Sequence, residues 1–236
     1  MKIGILDSGI GGLTVLSSLL KKCPNHEYIY YGDTKNLPYG NKSIDELKKL
    51  ASNIIEFLLE KKVDMIVIAC GTVSSNLTSY LKEKYNVKII DIISPTINYL
   101  YNSDYKNIGV IATQATINSK IFSTNINKNI KEVACPMFVP FIENNKKEEL
   151  NNYFKEYLNE LKYCDLIVLG CTHYSLIKKE INEYLNIMLL DMSECIEDIP
   201  SDGMSRVELY FSKLDDNIIN NVNNILDLED YSINLA

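Results

Sequence analysis

Two short stretches of the chain end on a cysteine in the same way. Asp64-Met-Ile-Val-Ile-Ala-Cys70-Gly-Thr72 and Asp165-Leu-Ile-Val-Leu-Gly-Cys171-Thr172-His173 each place an Asp six residues ahead of a Cys, with an apolar run between. A thiolate is a competent base towards a C–H bond when neighbouring amide dipoles or a charge lower its pKa. Two thiols facing one ligand from opposite sides could take a proton from one face of a carbon and return one to the other. Inverting a stereocentre without a cofactor needs that pair. Buried cysteines are often inert small hydrophobes. The equivalent placement of Cys70 and Cys171 in two copies is what distinguishes them from such residues. Cys23, Cys135, Cys164 and Cys195 match no repeat position and read as structural.

Other groups lie close to these two in sequence. His173, one of only two histidines, follows Cys171 by two residues and could pair with the thiol or take its proton. A metal held by Cys171 and His173 is the alternative, but no further Cys or His cluster completes such a site. None of the six cysteines forms a C-x-x-C pair. Asp7 ends the run Ile3-Gly4-Ile5-Leu6 just ahead of Gly11-Gly12. It reads either as a cap for that turn or as a carboxylate acting on Cys70. Gly9-Ile10-Gly11-Gly12 lacks dinucleotide-loop spacing and a P-loop Lys, and reads as an anion-binding strand-to-helix turn. Ser8, Thr72, Thr116 and Thr172 place hydroxyls near strand ends, and Pro38-Tyr39-Gly40 offers backbone N–H groups for a carboxylate.

The elements that must position these residues follow from periodicity. The two Asp-to-Cys runs read as strands buried on both faces of a parallel sheet, with each thiol at the carboxyl end where open α/β sheets bind ligands. The pairs Gly4/Gly109, Cys70/Cys171 and Asp91/Asp191 sit in matching segments offset by 105, 101 and 100 residues, which marks a domain-scale duplication. Between the strands lie helical stretches: Leu13–Leu20 before Pro24, a segment opened by the Ser43…Glu46 capping box and running to about Lys62, and Ser75–Tyr85. The expected fold is α/β, with two similar lobes, each a parallel sheet flanked by helices, related by internal duplication, and the active site between them. The expected division is 1–95 plus 202–236 for the first lobe and 96–201 for the second. In the last segment, Val207–Phe211 reads as a strand, Asp216–Leu226 as a helix and the rest as a polar tail, packed back onto the first lobe.

The 236 residues are 46% hydrophobic and 23% charged, an ordinary globular composition, and the formal net charge of −7 argues against a nucleic-acid partner. An anionic substrate would be held by local dipoles rather than by the overall field. No apolar run approaches membrane-spanning length, and Met1–Asp7 already reads as a strand rather than a leader, so a cytoplasmic protein with reduced thiols is expected.

The chain resembles the glutamate racemases of the aspartate/glutamate racemase superfamily in several pieces, in order over about 1–195. These are Asp7-Ser8-Gly9-Ile10-Gly11-Gly12-Leu13-Thr14-Val15, Tyr31-Gly32-Asp33-Thr34, Leu37-Pro38-Tyr39-Gly40-Asn41-Lys42-Ser43, Ala69-Cys70-Gly71-Thr72, Cys135-Pro136-Met137-Phe138-Val139-Pro140-Phe141-Ile142-Glu143 and Gly170-Cys171-Thr172-His173-Tyr174. The resemblance implies an isomerase that interconverts L- and D-glutamate for bacterial peptidoglycan, with no cofactor and no metal. It implies Cys70 and Cys171 as the acid/base pair, supported by Asp7 and His173, with Glu143 as a further candidate. It places substrate contacts on Asp7, Ser8, Tyr39, Gly40, Gly71, Thr72, Thr116, Thr172 and His173. It also implies a small-molecule partner, no nucleic acid, no membrane, and a homodimer. One position departs: the family usually has Asn after the first catalytic Cys, and this chain has Gly71. A lost side-chain contact of that kind costs about 1–3 kcal/mol where a polar partner is left unpaired. Racemisation of another amino acid such as aspartate, amino-acid binding without catalysis, and a Cys70–Cys171 redox disulfide are the competing assignments.

Overall fold

Apolar runs of four to six residues become strands, and the amphipathic stretches between them become crossovers. A computed structural model of the chain describes residues 1–200, 203–228 and 230–236; the expected boundary at Asp202 lies outside the described residues. The first series is β1 (Lys2–Asp7), α1 (Leu13–Lys22), β2 (Glu27–Gly32), α2 (Ile44–Glu60), β3 (Met65–Ile68), α3 (Gly71–Lys84), β4 (Lys88–Asp91) and α4 (Ile93–Asn102). The second is β5 (Asn107–Ala112), α5 (Gln114–Ser119), α6 (Ile121–Asn125), β6 (Asn129–Ala134), α7 (Phe138–Glu143), α8 (Asn151–Leu158), β7 (Leu166–Leu169), α9 (Lys178–Leu185) and β8 (Met188–Asp191). Then come β9 (Arg206–Phe211), α10 (Asp216–Ile225) and β10 (Ser232–Leu235).

Every strand pairing is parallel. One sheet has the order β10-β9-β2-β1-β3-β4 and the other β6-β5-β7-β8. The order β2-β1-β3-β4 therefore recurs as β6-β5-β7-β8, the duplication that the offsets anticipate. β6 escapes a reading of apolar runs because it is an edge strand of mixed exposure, Asn129-Ile-Lys-Glu-Val-Ala. β3 and β7 are buried at all four positions, which is why each reads as a continuous apolar run.

Local chemistry fixes the ends of several elements. In α2 the Ser43 side chain accepts from the Glu46 N–H, and the Glu46 carboxylate accepts from the Ser43 N–H at 2.9 Å. α3 starts at Gly71, four residues before the expected Ser75, with Ser74 N–H donating to Cys70 O at 2.8 Å. Its first turn, Gly71 to Ser74, is buried throughout and so shows no helical periodicity. The expected polar tail contains β10, whose Ile233 pairs with Leu209 of β9. β9 in turn pairs with β2 and so joins the first sheet.

The two sheets are held together on one side by α1 and α4 against the segment Met192–Cys195, where the chain leaves the second sheet. There Ser18 Oγ donates to Ser193 O at 3.1 Å, and Lys22 Nζ donates to Glu194 O at 2.8 Å and Ile196 O at 2.9 Å. No helix among the described residues is long and apolar enough to cross a membrane.

Candidate active site

The carboxyl ends of β1 and β3 in one sheet and of β5 and β7 in the other converge on a small cavity of about 20 Å3. Cys70, one residue beyond Ala69 at the end of β3, and Cys171, one beyond Gly170 at the end of β7, both line it. Of the other expected site residues, Ser8, Tyr39, Gly40, Thr72, Thr172 and His173 line it as well. Asp7, Gly71, Thr116 and Glu143 do not, and each stands directly behind a residue that does. All six cysteines are free.

On the first side, Cys70 Sγ donates to Ser8 Oγ at 3.7 Å. Burial, and then the nearby Asp7 carboxyl, push the Cys70 thiol up to about 12, against the opposing pull of the Val73 N–H and Ser8. The amide dipole anticipated to lower this thiol is present at the start of α3, but burial outweighs it. Asp7 is held from both lobes. Its Oδ2 accepts the Gly9 N–H at 3.0 Å, capping the turn, and its Oδ1 accepts from Thr172 Oγ1 at 3.3 Å across the lobes. Burial raises its own carboxyl, opposed by His173 and by the Gly9 and Gly12 N–H groups.

On the second side, Cys171 Sγ lies 3.8 Å from His173 Nδ1. His173 Nε2 lies 2.5 Å from Glu143 Oε1, and the same oxygen accepts the Ile10 N–H at 3.0 Å. Burial alone would lower the imidazole, but hydrogen bonds to Cys171 and Glu143 and the Glu143 charge outweigh it and hold His173 well above its usual value. His173 and Glu143 therefore form a buried imidazolium–carboxylate pair behind Cys171. The turn expected to bind an anion does so with the protein's own carboxylates, Asp7 on Gly9 and Glu143 on Ile10.

Hydroxyls bridge the lobes beside the thiols. Thr72 Oγ1 and Thr113 Oγ1 are 2.8 Å apart, Thr113 Oγ1 donates to Thr116 Oγ1 at 3.1 Å, and Ser75 Oγ donates to the same oxygen at 3.3 Å. Thr116 thus holds Thr113 rather than facing the cavity. Thr113 was not singled out from the sequence, although it is the counterpart of Ser8 at the repeat offset. Asp33 is a second omission. It accepts from Tyr39 OH at 2.6 Å and from Ser212 Oγ at 2.6 Å, so the phenol of Tyr39, a residue that borders the cavity, is committed to Asp33. The C-terminal segment reaches the other side too, where Asn217 Nδ2 donates to Glu143 O at 2.7 Å. A Cβ built on Gly71 would fall 2.5 Å from Gly170 O.

A family model described as Asp/Glu/Hydantoin racemase matches residues 3–196 of the chain. Glutamate racemase of Aquifex pyrophilus is 37% identical over a 252-residue alignment that covers 100% of this chain and 98% of that protein. Glutamate racemase of Thermoanaerobacter sp. (strain X514) is 43% identical over 202 residues, 80% of this chain and 75% of that one. The crystal structure of glutamate racemase from Francisella tularensis subsp. tularensis SCHU S4, in complex with D-glutamate, aligns with a TM-score of 0.86 at 29% identity, covering 100% of this chain and 97% of that one.

Proposed function

The chain belongs to the Asp/Glu/Hydantoin racemase family, and on that premise we propose that it interconverts L- and D-glutamate through Cys70 and Cys171, without a cofactor. The observation that carries this proposal is that the two thiols, each just beyond a central strand of a different sheet, border one cavity. The names of the relatives favour glutamate as the substrate.

In one direction Cys171, as thiolate, removes the α-hydrogen, leaving a carbanion stabilised by the adjacent carboxylate. Cys70, held as a protonated thiol by burial and Asp7, gives its proton to the opposite face. The turnover ends with Cys171 protonated and Cys70 as thiolate, facing the Val73 N–H and Ser8 that favour its charged form. The reverse direction starts from that state, so the thiols exchange roles. His173 at 3.8 Å is placed to exchange a proton with Cys171, and Glu143 holds the imidazole in position for it. Ser8, Tyr39, Gly40, Thr72 and Thr172 border the space for the substrate, while Asp7, Gly71 and Thr116 act from behind them. The first lobe is taken as 1–95 plus 202–236 and the second as 96–201. Supply of D-glutamate for peptidoglycan, a cytoplasmic location and a homodimer complete the proposal.

Chirally resolved assays with L- and D-glutamate, without added pyridoxal phosphate and in deuterated water, test it. Each enantiomer should yield the other, with deuterium at the α-carbon. Binding without α-proton exchange would point to a non-catalytic protein, and a clear preference for another amino acid would displace glutamate.

A further inference from the structure

Glu143 is held at two ends. Its Oε1 accepts the Ile10 N–H at 3.0 Å and meets His173 Nε2 at 2.5 Å. Its main chain closes α7, a helix of six residues, which is too short to be stable without tertiary support. The last four carbonyls of a helix need donors from beyond its own ladder. The turn after α7 supplies three of them. Asn144 N–H donates to Pro140 O at 3.2 Å, Lys146 N–H to Phe141 O at 2.8 Å and Asn145 N–H to Ile142 O at 3.1 Å. The fourth carbonyl, Glu143 O, takes its donor from a distant element, Asn217 Nδ2 at 2.7 Å.

The other end of that amide is committed as well. Asn217 Oδ1 accepts from Asn145 Nδ2, in the same turn, and from Asn221 Nδ2 at 3.5 Å, one turn further along α10. Asn217 stands in the first turn of α10, where the capping Asp215 accepts the Ile218 N–H at 3.0 Å and pairs with Lys213 Nζ at 3.0 Å. Just ahead, Ser212 Oγ donates to Asp33 Oδ1 at 2.6 Å, and Thr34 Oγ1 donates to Lys213 O at 2.5 Å. Since β9 pairs with β2, this segment is mounted on the first sheet. From there Asn217 reaches the end of a helix that belongs to the second series.

We propose that Asn217 is a positioning residue for the reaction. By holding the carbonyl at the end of α7, it sets where the Glu143 carboxylate stands against His173, behind Cys171. Its effect on turnover rests on the two-thiol reading above; its effect on His173 does not.

Asn217→Ala removes the donor and leaves α10 its best helix former. It is compared with wild type, with Glu143→Gln and with the double variant. Among the described residues, the titratable groups facing His173 are Cys171 on its own segment, Glu143 on α7 and Asp7 at the end of β1. Of these, Glu143 is the one bonded to Asn217. The chain has two histidines, so NMR of isotopically labelled histidine over a pH series reads His173 directly, with His26 as internal reference. In Asn217→Ala, His173 should titrate at lower pH than in wild type, because a displaced carboxylate supports the imidazolium less. On the alkaline side of the His173 limb, kcat/KM should fall about three- to tenfold, the worth of one hydrogen bond. In the Glu143→Gln background both effects should shrink towards zero, as for residues that act through one contact. An unmoved His173 titration in Asn217→Ala, or shifts of equal size in both backgrounds, would overturn the proposal. Loss of the cooperative thermal transition in Asn217→Ala would overturn it too, because the amide would then serve folding rather than position. Failure of the wild-type enzyme to invert either enantiomer of glutamate would instead refute the two-thiol reading, and the His173 titration would still decide what Asn217 does.

Discussion

Glu143→Gln isolates the charge behind Cys171. The amide keeps the shape of the carboxylate and an oxygen that can accept the Ile10 N–H, now at 3.0 Å, but it cannot stabilise an imidazolium at His173 Nε2, now 2.5 Å away. A hydrogen bond to a charged group contributes about 1.5–3 kcal/mol and a neutral one about 0.5–1.5, a difference of about 1–1.5 kcal/mol. That corresponds to about one pKa unit on His173. Burial, which already pulls His173 down, is then opposed by Cys171 and by a neutral hydrogen bond alone, so the imidazole drops back towards its ordinary value of 6.5. The limb of the kcat/KM–pH profile governed by His173 should move to lower pH by about one unit, and kcat/KM on the alkaline side of that limb should fall about tenfold. L- and D-glutamate have equal free energies in water, so the fall must be the same in both directions, although kcat and KM can divide it differently. Stability should follow the same sign. A histidine whose folded pKa is raised contributes stability below about pH 6.5 and loses it as pH rises through the folded value. The stability deficit of the variant should therefore be greatest on the acid side and shrink towards alkaline pH. Circular-dichroism denaturant melts over a pH series, with coupled chiral assays, read both effects. An unmoved pH profile with kcat/KM within twofold of wild type would refute a role for the His173–Glu143 pair.

Cys70, raised to about 12, should be about a thousandfold less thiolate at pH 7 than an ordinary thiol. Mass-spectrometric timing of iodoacetamide labelling should find it among the slowest cysteines, and Asp7→Asn should speed it; equal rates with and without the Asp7 charge would contradict the proximity effect. Tyr39→Phe removes the 2.6 Å hydrogen bond to buried Asp33 and should cost about 1–3 kcal/mol, a drop of about 2–12 °C in Tm by calorimetry.

The sequence makes the central strands plain because β3 and β7 are buried at every position and so appear as unbroken apolar runs. It hides β6, an edge strand with lysine and glutamate in it, and β10, four alternating residues in a polar tail. The same division holds at the cavity. Cys70, Cys171 and His173 are legible because they follow strand ends in one or both copies. Asp33 and Asn217 are not, since their meaning comes from contacts distant in sequence: Asp33 joins Tyr39 to Ser212, and Asn217 holds the end of α7 that presents Glu143, a residue that the sequence offers only through the family resemblance, to His173. The Gly71 departure reads in sequence as a missing amide, whereas in three dimensions the space for its Cβ is already filled by the Gly170 carbonyl.

Single-face proton exchange measures the two-sided arrangement of the thiols most directly. Cys70→Ser and Cys171→Ser are each incubated with pure L- and pure D-glutamate in deuterated water, and α-deuterium is followed by mass spectrometry with chiral separation. Neither variant should invert its substrate, and each should exchange the α-proton of one enantiomer only, a different one for each variant. Persistent inversion in either variant, or exchange of the same enantiomer by both, would contradict a base on each side of one α-carbon.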